Sequence, residues 1–406
     1  MPATETIAAV QAPPAPAHDR RYPSRTELQA ILGSELLREL ESLDGTVYVA
    51  MSGGVDSSAV AALLHGLGLS VVGISLRLYN PAHERTTGFE SAPEFGSCCS
   101  LDDLAVARRQ AMDIGIAHYT LDMVREFRES VFDYFVQQYA QGRTPSPCVK
   151  CNDSIKFSRF FDVLDGPNDI IVTGHYARVE PAAEGLRLLR GVDPVKDQSY
   201  FLARTPQDAL RRVRFPLGGL AKTQVRELSR AMGLRSAEKK DSQDLCFVGG
   251  QDTGEFVEKH LDRVRTGRFV DLEGKVLGEH HGVHRYTPGQ RKGLGIAHSE
   301  PLYVRQILSG GDVQLGTRQQ LSAREFTVRE PVWVSGRAPQ RSQLAAQVRY
   351  RSAAEPAEIV AIADDGTLRV RMQQPIFAPA PGQLVALYDQ DQVLGGGFLD
   401  QVDWSA

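Results

Sequence analysis

The stretch AMSGGVDSS at residues 50–58 constrains the fold of this chain most strongly. It follows an apolar run rich in β-branched residues at 46–50 and precedes a run of alanine, valine and leucine at 59–64. The pattern predicts a buried strand, a glycine turn and a helix in immediate succession. Gly53 and Gly54 carry no Cβ, so the backbone can turn sharply and approach a ligand closely. The start of the helix then offers amide groups and a positive dipole end to an anion.

The polar residues of this turn indicate which anion it binds. Asp56 would repel an anion by itself, so we interpret it as a ligand of Mg²⁺ that bridges phosphates. No Gly-Lys-Ser/Thr follows at the spacing of the P-loop, and the turn does not have the dinucleotide fingerprint. The stretch resembles instead the Ser-Gly-Gly-x-Asp-Ser signature of ATP pyrophosphatases, which split ATP into AMP and pyrophosphate. An ordinary glycine turn between a strand and a helix is the alternative.

Strand and helix patterns alternate through the first half of the chain. Apolar runs predict buried strands at 46–50, 71–76, 118–121 and 170–173, and helical periodicity predicts helices at 28–43, 59–66, 100–115 and 124–142. Residues 143–152 read as a proline-bracketed loop. The alternation predicts a doubly wound α/β domain with a parallel sheet. Ligands bind beyond the carboxyl ends of such strands, where Gly53, Leu76 and Gly174 lie.

The helical patterns fade in the second half of the chain. Turn signals at 310–312 and 364–366 separate alternating runs, which predict short strands and a compact β-barrel. We therefore expect four regions, which are a disordered leader at 1–22, an ATP-pyrophosphatase catalytic domain at 23–250, a small central domain at 251–320 and a C-terminal β-barrel domain at 321–406.

The composition is that of an ordinary globular protein. Of 406 residues, 42% are hydrophobic and 24% are charged, and no apolar run approaches the ~20 residues of a membrane span. No secretory signal is visible. The net charge of −4 excludes a global nucleic-acid signal, so an RNA surface would be a local basic patch. Few cysteines in a long chain indicate a reducing compartment, and we expect a cytoplasmic protein without a membrane anchor.

The five cysteines are Cys98, Cys99, Cys148, Cys151 and Cys246. Cys148 and Cys151 form a Cys-x-x-Cys pair, which is ambiguous between zinc, redox chemistry and cluster ligation. With Cys98 and Cys99 they would supply four thiols for structural zinc. Cys246 follows the polar, lysine-containing sequence KKDSQDL, and nearby lysines favour a reactive thiolate. The alternative interpretation is that Cys246 is a small hydrophobic residue buried in the core.

From about residue 45 to 400 the chain resembles the tRNA-specific 2-thiouridylase family. The motifs that carry the resemblance are, in chain order, 51–58 (MSGGVDSS), 142–147 (GRTPSP), 151–152 (CN), 155–157 (IKF), 173–176 (TGHY), 196–201 (KDQSYF), 241–242 (DS), 246–247 (CF), 287–296 (TPGQRKGLGI), 349–350 (RY) and 394–397 (LGGG). The resemblance implies ATP-dependent thiolation of ring position 2 of the wobble uridine, at anticodon position 34. ATP and Mg²⁺ would serve adenylation of the uracil oxygen, which is otherwise a poor leaving group.

The resemblance also implies how sulfur arrives. The cysteine that matches Cys246 carries a persulfide, and the one that matches Cys151 is its partner nucleophile. Many members have Asp where this chain has Cys148, and that Asp is proposed as general acid/base. A thiol can transfer a proton, but with a reference pKa of about 8.5 rather than about 4. Alternatively, Cys148, Cys151 and Cys246 ligate a [4Fe-4S] cluster with one iron open to sulfide.

Motif and resemblance together assign the remaining site residues. Those for the nucleotide are Ala50, Met51, Ser52, Gly53, Gly54, Val55, Asp56, Ser57, Leu76 and Gly174. Those for tRNA are Ser146, Pro147, Cys148, Lys196, Asp197, Gln198, Arg349 and Tyr350, the last two on a predicted strand. The expected partners are tRNA and a sulfur-donor protein, either a cysteine desulfurase or a relay protein, and we expect a monomer. Two rival functions are another ATP-pyrophosphatase ligase and a metal-bound RNA-binding module without catalysis.

Overall fold

The computed structural model describes residues 22–79, 101–164, 166–239 and 245–404. Cys98, Cys99 and the motif at 241–242 lie outside the described residues. So does the expected disordered leader, except for Tyr22.

A parallel sheet forms the core of the first half of the chain. The strands described there are β1 (Val47–Ala50), β2 (Val71–Arg77), β3 (Ala117–Asp122), β4 (Ile170–Val172), β5 (Ala177–Ala182), β6 (Gly185–Arg190) and β7 (Val213–Arg214). Five of them pair in the order β3-β2-β1-β4-β7, with β1 parallel to both β2 and β4. The strand order reverses beside β1, and ligands bind at such a reversal in open α/β sheets. The predicted nucleotide loop follows β1 directly.

Helices cover this sheet. They are α1 (Arg25–Leu32), α2 (Ser34–Glu41), α3 (Val55–Gly66), α4 (Leu101–Ile114), α5 (Val124–Phe127), α6 (Asp133–Ala140), α7 (Pro147–Cys151), α8 (Gln207–Arg211), α9 (Lys222–Ala231) and α10 (Thr253–Glu258). Alternate residues of β1 face opposite sides, as the pleat requires. Val47 and Val49 pack in one core with α3, α4 and α9, whereas Tyr48 packs in a second core that includes barrel residues such as Leu384 and Tyr388.

Two local predictions are wrong. The helix predicted at 28–43 is two helices, because Gly33 adopts φ +80° between α1 and α2. The predicted loop at 143–152 contains α7, which begins with Pro147 and continues into a π-helical turn, Asn152–Lys156. Proline is well suited to the first helical position, because its missing amide hydrogen would have no partner there.

The central region forms a small mixed sheet. Its strands are β8 (Gly267–Val270), β9 (Val276–His280), β10 (Tyr303–Ile307) and β11 (Val313–Gly316), in the order β10-β11-β8-β9. Phe269, Tyr286 and Val304 belong to its core. The short strands predicted for the second half of the chain begin here.

The last part of the chain is a closed barrel. Its strands are β12 (Ser322–Trp333), β13 (Gln343–Gln347), β14 (Glu355–Ile362), β15 (Leu368–Phe377), β16 (Leu384–Asp389) and β17 (Gln392–Asp403). They run in the order β12-β15-β14-β13-β16-β17, and β12 pairs with β17 to close the barrel. The predicted fold class, a parallel α/β sheet followed by a small middle domain and a β-barrel, is confirmed.

One connection between the two halves was not predicted. The hairpin of β5 and β6 leaves the first half and pairs with β17 through Leu188 and Leu189. The sheet of the barrel therefore continues into the first half of the chain through β6 and β5. The two halves are joined by strand hydrogen bonds as well as by a common core.

No helix among the described residues is long and apolar enough to cross a membrane.

Candidate active site

The predicted nucleotide loop forms a tight turn between β1 and α3. Gly53 adopts φ +71°, and a Cβ there would lie 2.7 Å from the carbonyl oxygen of Asp103. Gly54 is the N-cap residue of α3. The amide of Ser52 donates to Oγ of Ser57 across 3.2 Å, which closes the turn. Backbone conformation and close packing therefore both require glycine at position 53, and the first amides of α3 lie at the anion-binding end of the helix.

Two further strand ends border this loop. A Cβ on Gly174, just beyond β4, would lie 3.0 Å from Cβ of Asp56 and 3.1 Å from the amide nitrogen of Ser57. Leu76 lies near the end of β2 and is half-buried. Gly174 thus lets the end of β4 approach the loop closely, and its contact with the nucleotide stays a prediction.

The carboxylate of Asp56 has two partners that the sequence analysis missed. Nζ of Lys222 lies 2.8 Å from both carboxylate oxygens, and the hydroxyl of Tyr176 donates to Oδ1 across 2.9 Å. Lys222 is the first residue of α9, where the helix dipole disfavours a positive charge. A lysine at the start of a predicted helix therefore suggests that an anion lies nearby, but the sequence does not show that this anion is Asp56.

A second lysine contacts the loop from the segment that leads toward Cys246. Nζ of Lys239 donates to the carbonyl oxygen of Gly53 across 3.2 Å and to Oδ1 of Asp103 across 2.9 Å. Asp103 is buried in the first turn of α4. The chain just before residue 240 is therefore joined to the nucleotide loop.

The three described cysteines lie in different environments. Cys148 is exposed near the start of α7, Cys151 is buried at its end, and Cys246 is intermediate. Cys151 belongs to an apolar core against which Cys246 also packs. The structure therefore brings Cys151 and Cys246, which are far apart in sequence, to one cluster.

Phe247 anchors the Cys246 segment in that cluster. Its ring centroid lies 4.9 Å from that of Phe135, 5.6 Å from that of Phe127 and 5.9 Å from that of Phe132, all in edge or T-shaped contacts. Buried aromatic pairs of this kind add to the stability that area burial gives. Because Phe247 follows Cys246 directly, its packing also restricts the position of the Cys246 backbone.

Within 22–79, 101–164, 166–239 and 245–404, no three His, Cys, Asp or Glu side chains are grouped closely enough to hold a metal ion. Cys148, Cys151 and Cys246 are not a group of this kind. A zinc site that includes Cys98 and Cys99 lies outside the described residues.

The loop before α7 is fixed to the barrel. The amide of Thr144 donates to the carbonyl oxygen of Pro381 across 2.8 Å, and Oγ of Ser146 accepts from the amide of Leu384 across 3.0 Å. Pro147 is buried. The predicted tRNA residues Ser146 and Pro147 therefore form part of the contact between the cysteine helix and the barrel, while Cys148 faces outward beside them.

The predicted tRNA residues at 196–198 differ in their surroundings. Asp197 accepts from Nη1 of Arg190 across 2.8 Å and from the backbone amide and hydroxyl of Ser199, and its side chain is 9% exposed. Gln198 accepts from the amide of Tyr176 across 3.1 Å. Lys196 is half-buried. Asp197 and Gln198 therefore organise the chain beside the nucleotide loop, and Lys196 is the residue of the three that carries positive charge.

Arg349 and Tyr350 follow β13 in a turn, so their placement on a strand is wrong. Nη2 of Arg349 donates to the carbonyl oxygens of Pro288 and Ala378, which joins the central region to the barrel. Burial lowers the pKa of this guanidinium. Tyr350 is 37% exposed, and its ring centroid lies 4.4 Å from that of Phe201. Tyr350 thus presents part of an aromatic surface on which a base can stack.

An open cavity of about 630 Å³ lies at the carboxyl ends of β2 and β3. Arg77, Arg125 and Arg128 line it, together with Phe127 and Phe132 from the cluster that contains Cys151. Guanidinium groups bind phosphate oxygens well. Asp122 and Glu126 also line the cavity and pair with Arg77 and Arg125. The cavity therefore combines an apolar wall at the cysteine cluster with a rim of mixed charge.

Three family models match the chain in succession. Residues 45–250 match the tRNA methyl transferase HUP domain, residues 254–311 match the tRNA methyl transferase PRC-barrel domain, and residues 323–399 match the aminomethyltransferase beta-barrel domain. The first model alone spans about half of the chain.

Similar proteins of known name match over most of their length. The tRNA-specific 2-thiouridylase MnmA of Geobacter metallireducens is 44% identical over 361 residues, which is 87% of this chain and 96% of that protein. The protein of the same name from Rickettsia massiliae is 42% identical, over 87% of this chain and 96% of its own. A solved NMN synthetase from Francisella tularensis is 18% identical with a TM-score of 0.32, over 51% of this chain and 72% of that one.

Proposed function

This chain belongs to the tRNA-specific 2-thiouridylase family, and we propose that it is a tRNA-uridine 2-sulfurtransferase. It adenylates the wobble uridine with ATP and then replaces the activated oxygen with sulfur, giving 2-thiouridine, AMP and pyrophosphate. The observation that carries this proposal is the common cluster of Cys151 and Cys246, near the edge of the sheet that also bears the nucleotide loop. A ligase for small molecules would not need two cysteines from distant segments at that edge.

The first half-reaction takes place at the loop between β1 and α3. The uracil O2 attacks the α-phosphorus of ATP, the bond to the β-phosphate oxygen breaks, and pyrophosphate leaves. The first amides of α3 and the close approach allowed by Gly53 and Gly174 suit the phosphate groups. The carboxylate of Asp56, 28% exposed at this helix start, suits Mg²⁺, which would offset phosphate charge when bound.

The second half-reaction uses the two cysteines. A persulfide on Cys246 adds through its terminal sulfur to C2 of the adenylated base, and AMP leaves with the former O2. The thiolate of Cys151 then attacks Sγ of Cys246, the bond to the transferred sulfur breaks, and 2-thiouridine departs. The product enzyme holds a Cys151–Cys246 disulfide, and an external thiol reductant must reduce it before the next cycle.

Proton transfer near the base falls to Cys148. It lies on the exposed side of α7, three residues before Cys151 and next to the loop fixed to the barrel. As a thiol it acts as general acid/base with a reference pKa of about 8.5. The alternative is a [4Fe-4S] cluster ligated by Cys148, Cys151 and Cys246.

The proposed partners are tRNA and a sulfur-donor protein. Lys196 and Tyr350 supply a cation and an exposed aromatic ring for RNA. The donor, a cysteine desulfurase or a relay protein, must reach Cys246, which is intermediate in exposure. We propose that the chain acts as a monomer in the cytoplasm.

The test is reconstitution with purified chain, unmodified tRNA, Mg-ATP and a persulfide donor, followed by mass analysis of tRNA nucleosides. We expect 2-thiouridine from the wild type and none from Cys151→Ser or Cys246→Ser. Both variants should still release pyrophosphate in a tRNA-dependent way, because the nucleotide loop is intact. With tRNA and Mg-ATP present, Cys151→Ser should accumulate tRNA joined to Cys246 through the transferred sulfur, because no thiolate is left to attack Sγ, and without ATP it should carry the persulfide on Cys246. Formation of 2-thiouridine by Cys246→Ser would refute the proposal.

A further inference from the structure

Lys222 is a buried lysine whose ammonium group lies at the nucleotide loop. It is 8% exposed, and its Nζ atom lies 2.8 Å from each carboxylate oxygen of Asp56, 166 residues earlier in the chain. The same Nζ lies 5.8 Å from the ring centroid of Tyr176. A lysine is rarely this buried unless it is paired with an anion, and here that anion is the carboxylate of Asp56.

The backbone of Lys222 is fixed independently of its side chain. Its amide donates to Oδ2 of Asp193 across 3.0 Å, at the start of α9. The lysine stem has four rotatable bonds, so the ammonium can change partner while the helix start stays in place. The helix dipole at this position disfavours a cation, which a strong anion must offset.

The ammonium of Lys222 competes with any metal ion for the carboxylate of Asp56. The ammonium contacts both oxygens of Asp56. Mg²⁺ requires at least one of those oxygens, and two cations on one carboxylate repel each other. A metal ion that arrives with its nucleotide weakens the attraction between the ammonium and Asp56, and the phosphate groups offer the ammonium another anion at the same place.

We propose that Lys222 is a nucleotide-binding residue that exchanges Asp56 for a phosphate oxygen of ATP when the Mg-nucleotide binds. Before binding, Lys222 neutralises Asp56 and holds the carboxylate in place. After binding, it contributes a charge-assisted hydrogen bond to the phosphates. The inference rests on the proposed function only in taking ATP as the nucleotide.

The competing explanation is that Lys222 merely holds Asp56 in position. A variant of Tyr176 distinguishes these two explanations. The hydroxyl of Tyr176 also holds Asp56 in position, but it has no positive charge with which to bind phosphate. Tyr176→Phe removes an orienting contact, whereas Lys222→Met removes an orienting contact and a cation. Since the side chain of Asp56 is 28% exposed, water can reach the carboxylate when Lys222 is replaced, and the variant should fold.

The experiment measures binding without turnover. Titration calorimetry on the full chain, without tRNA, uses Mg²⁺ with α,β-methylene-ATP, and adenosine as the ligand that lacks phosphate. We expect Lys222→Met and Lys222→Gln to bind the nucleotide at least ~10-fold more weakly and adenosine equally well. Lys222→Arg should retain most of the affinity, and Tyr176→Phe should stay within ~3-fold of the wild type. Lys275→Met, at an exposed turn, is the matched control.

A second measurement follows the metal alone. Mg²⁺ without nucleotide should raise the thermal midpoint of Lys222→Met more than that of the wild type, because the ammonium no longer occupies Asp56. Wild-type nucleotide affinity in Lys222→Met, or an equal loss of adenosine and nucleotide affinity, would overturn the inference. Tight nucleotide binding without any thiolation of tRNA would instead contradict the proposed function and leave Lys222 in its role.

Discussion

Nη2 of Arg143 lies 2.9 Å from Oδ1 of Asp400 and also donates to the carbonyl oxygen of Leu399 across 3.0 Å. Asp400 lies on β17 of the barrel, 257 residues further along the chain. Arg143 begins the loop that leads to Cys148 and Cys151. The position of the cysteine helix relative to the nucleotide loop therefore depends on the C-terminal barrel.

Replacement of Arg143 should loosen the attachment of the cysteine helix to the barrel. We expect Arg143→Met to lower the rate of sulfur transfer while Mg-nucleotide affinity stays unchanged, because Arg143 bonds to β17 of the barrel through Leu399 and Asp400. The free energy of unfolding should fall by about 1–2 kcal/mol, since a half-buried charge loses its hydrogen bonds. Urea unfolding measures this loss. Arg337→Met, which removes an exposed ion pair with Glu184, is the control and should cost at most about 0.5 kcal/mol.

Cys148 provides a test of its own, because the chain departs here from many relatives. If Cys148 transfers a proton, Cys148→Asp should keep thiolation activity with a lower pH optimum, since the reference pKa falls from about 8.5 to about 4. Cys148→Ala should lose most activity, and pH–rate profiles of the three proteins measure both effects. Full activity in Cys148→Ala would contradict the proton-transfer role.

Wild-type protein and the Cys148→Ala variant also test the alternative in which the cysteines ligate an iron–sulfur cluster. Anaerobically purified wild type should be colourless and should thiolate tRNA with a persulfide trapped on Cys246. A brown protein that loses colour and activity together in Cys148→Ala would instead favour iron–sulfur ligation.

Arg349 and Lys196 should respond differently to salt. The guanidinium of Arg349 donates to two backbone carbonyl oxygens between the central region and the barrel. We therefore expect Arg349→Met to weaken tRNA binding without changing the slope of log affinity against log salt. Lys196→Met should lower the slope by about 1, as expected for one lost phosphate contact. Filter binding at several salt concentrations gives both slopes, and a shallower slope in Arg349→Met would place its side chain on phosphate.

His118 should make stability depend on pH. Burial, with the nearby charge of Arg108, lowers the pKa of the ring from 6.5 to about 4, while Nε2 lies 2.9 Å from Oγ of Ser75. Between these two values the unfolded state binds a proton that the folded state does not. The free energy of unfolding therefore falls as pH drops from about 6.5 toward about 4. His118→Gln should show a smaller fall in urea titrations over this range, and equal slopes would contradict the prediction.

The sequence by itself determined the local features of this protein. The strand, glycine turn and helix around Gly53 could be read directly, because period, propensity and turn chemistry act between residues close in the chain. Alternation of strands and helices gave the parallel sheet, and short alternating runs gave the barrel. The Cys-x-x-Cys pair at 148–151 was visible, although its surroundings were not.

The tertiary structure decided which distant segments meet. The pair of Lys222 and Asp56, the shared cluster of Cys151 and Cys246, and the contact of Arg143 with Asp400 each join residues far apart in sequence. The hairpin of β5 and β6 likewise pairs with β17. Such contacts depend on burial and strand register across whole domains. They therefore cannot be read from any single stretch of the sequence. The glycine turn is local and could be predicted, whereas its lysine partner arrives only when the chain has folded.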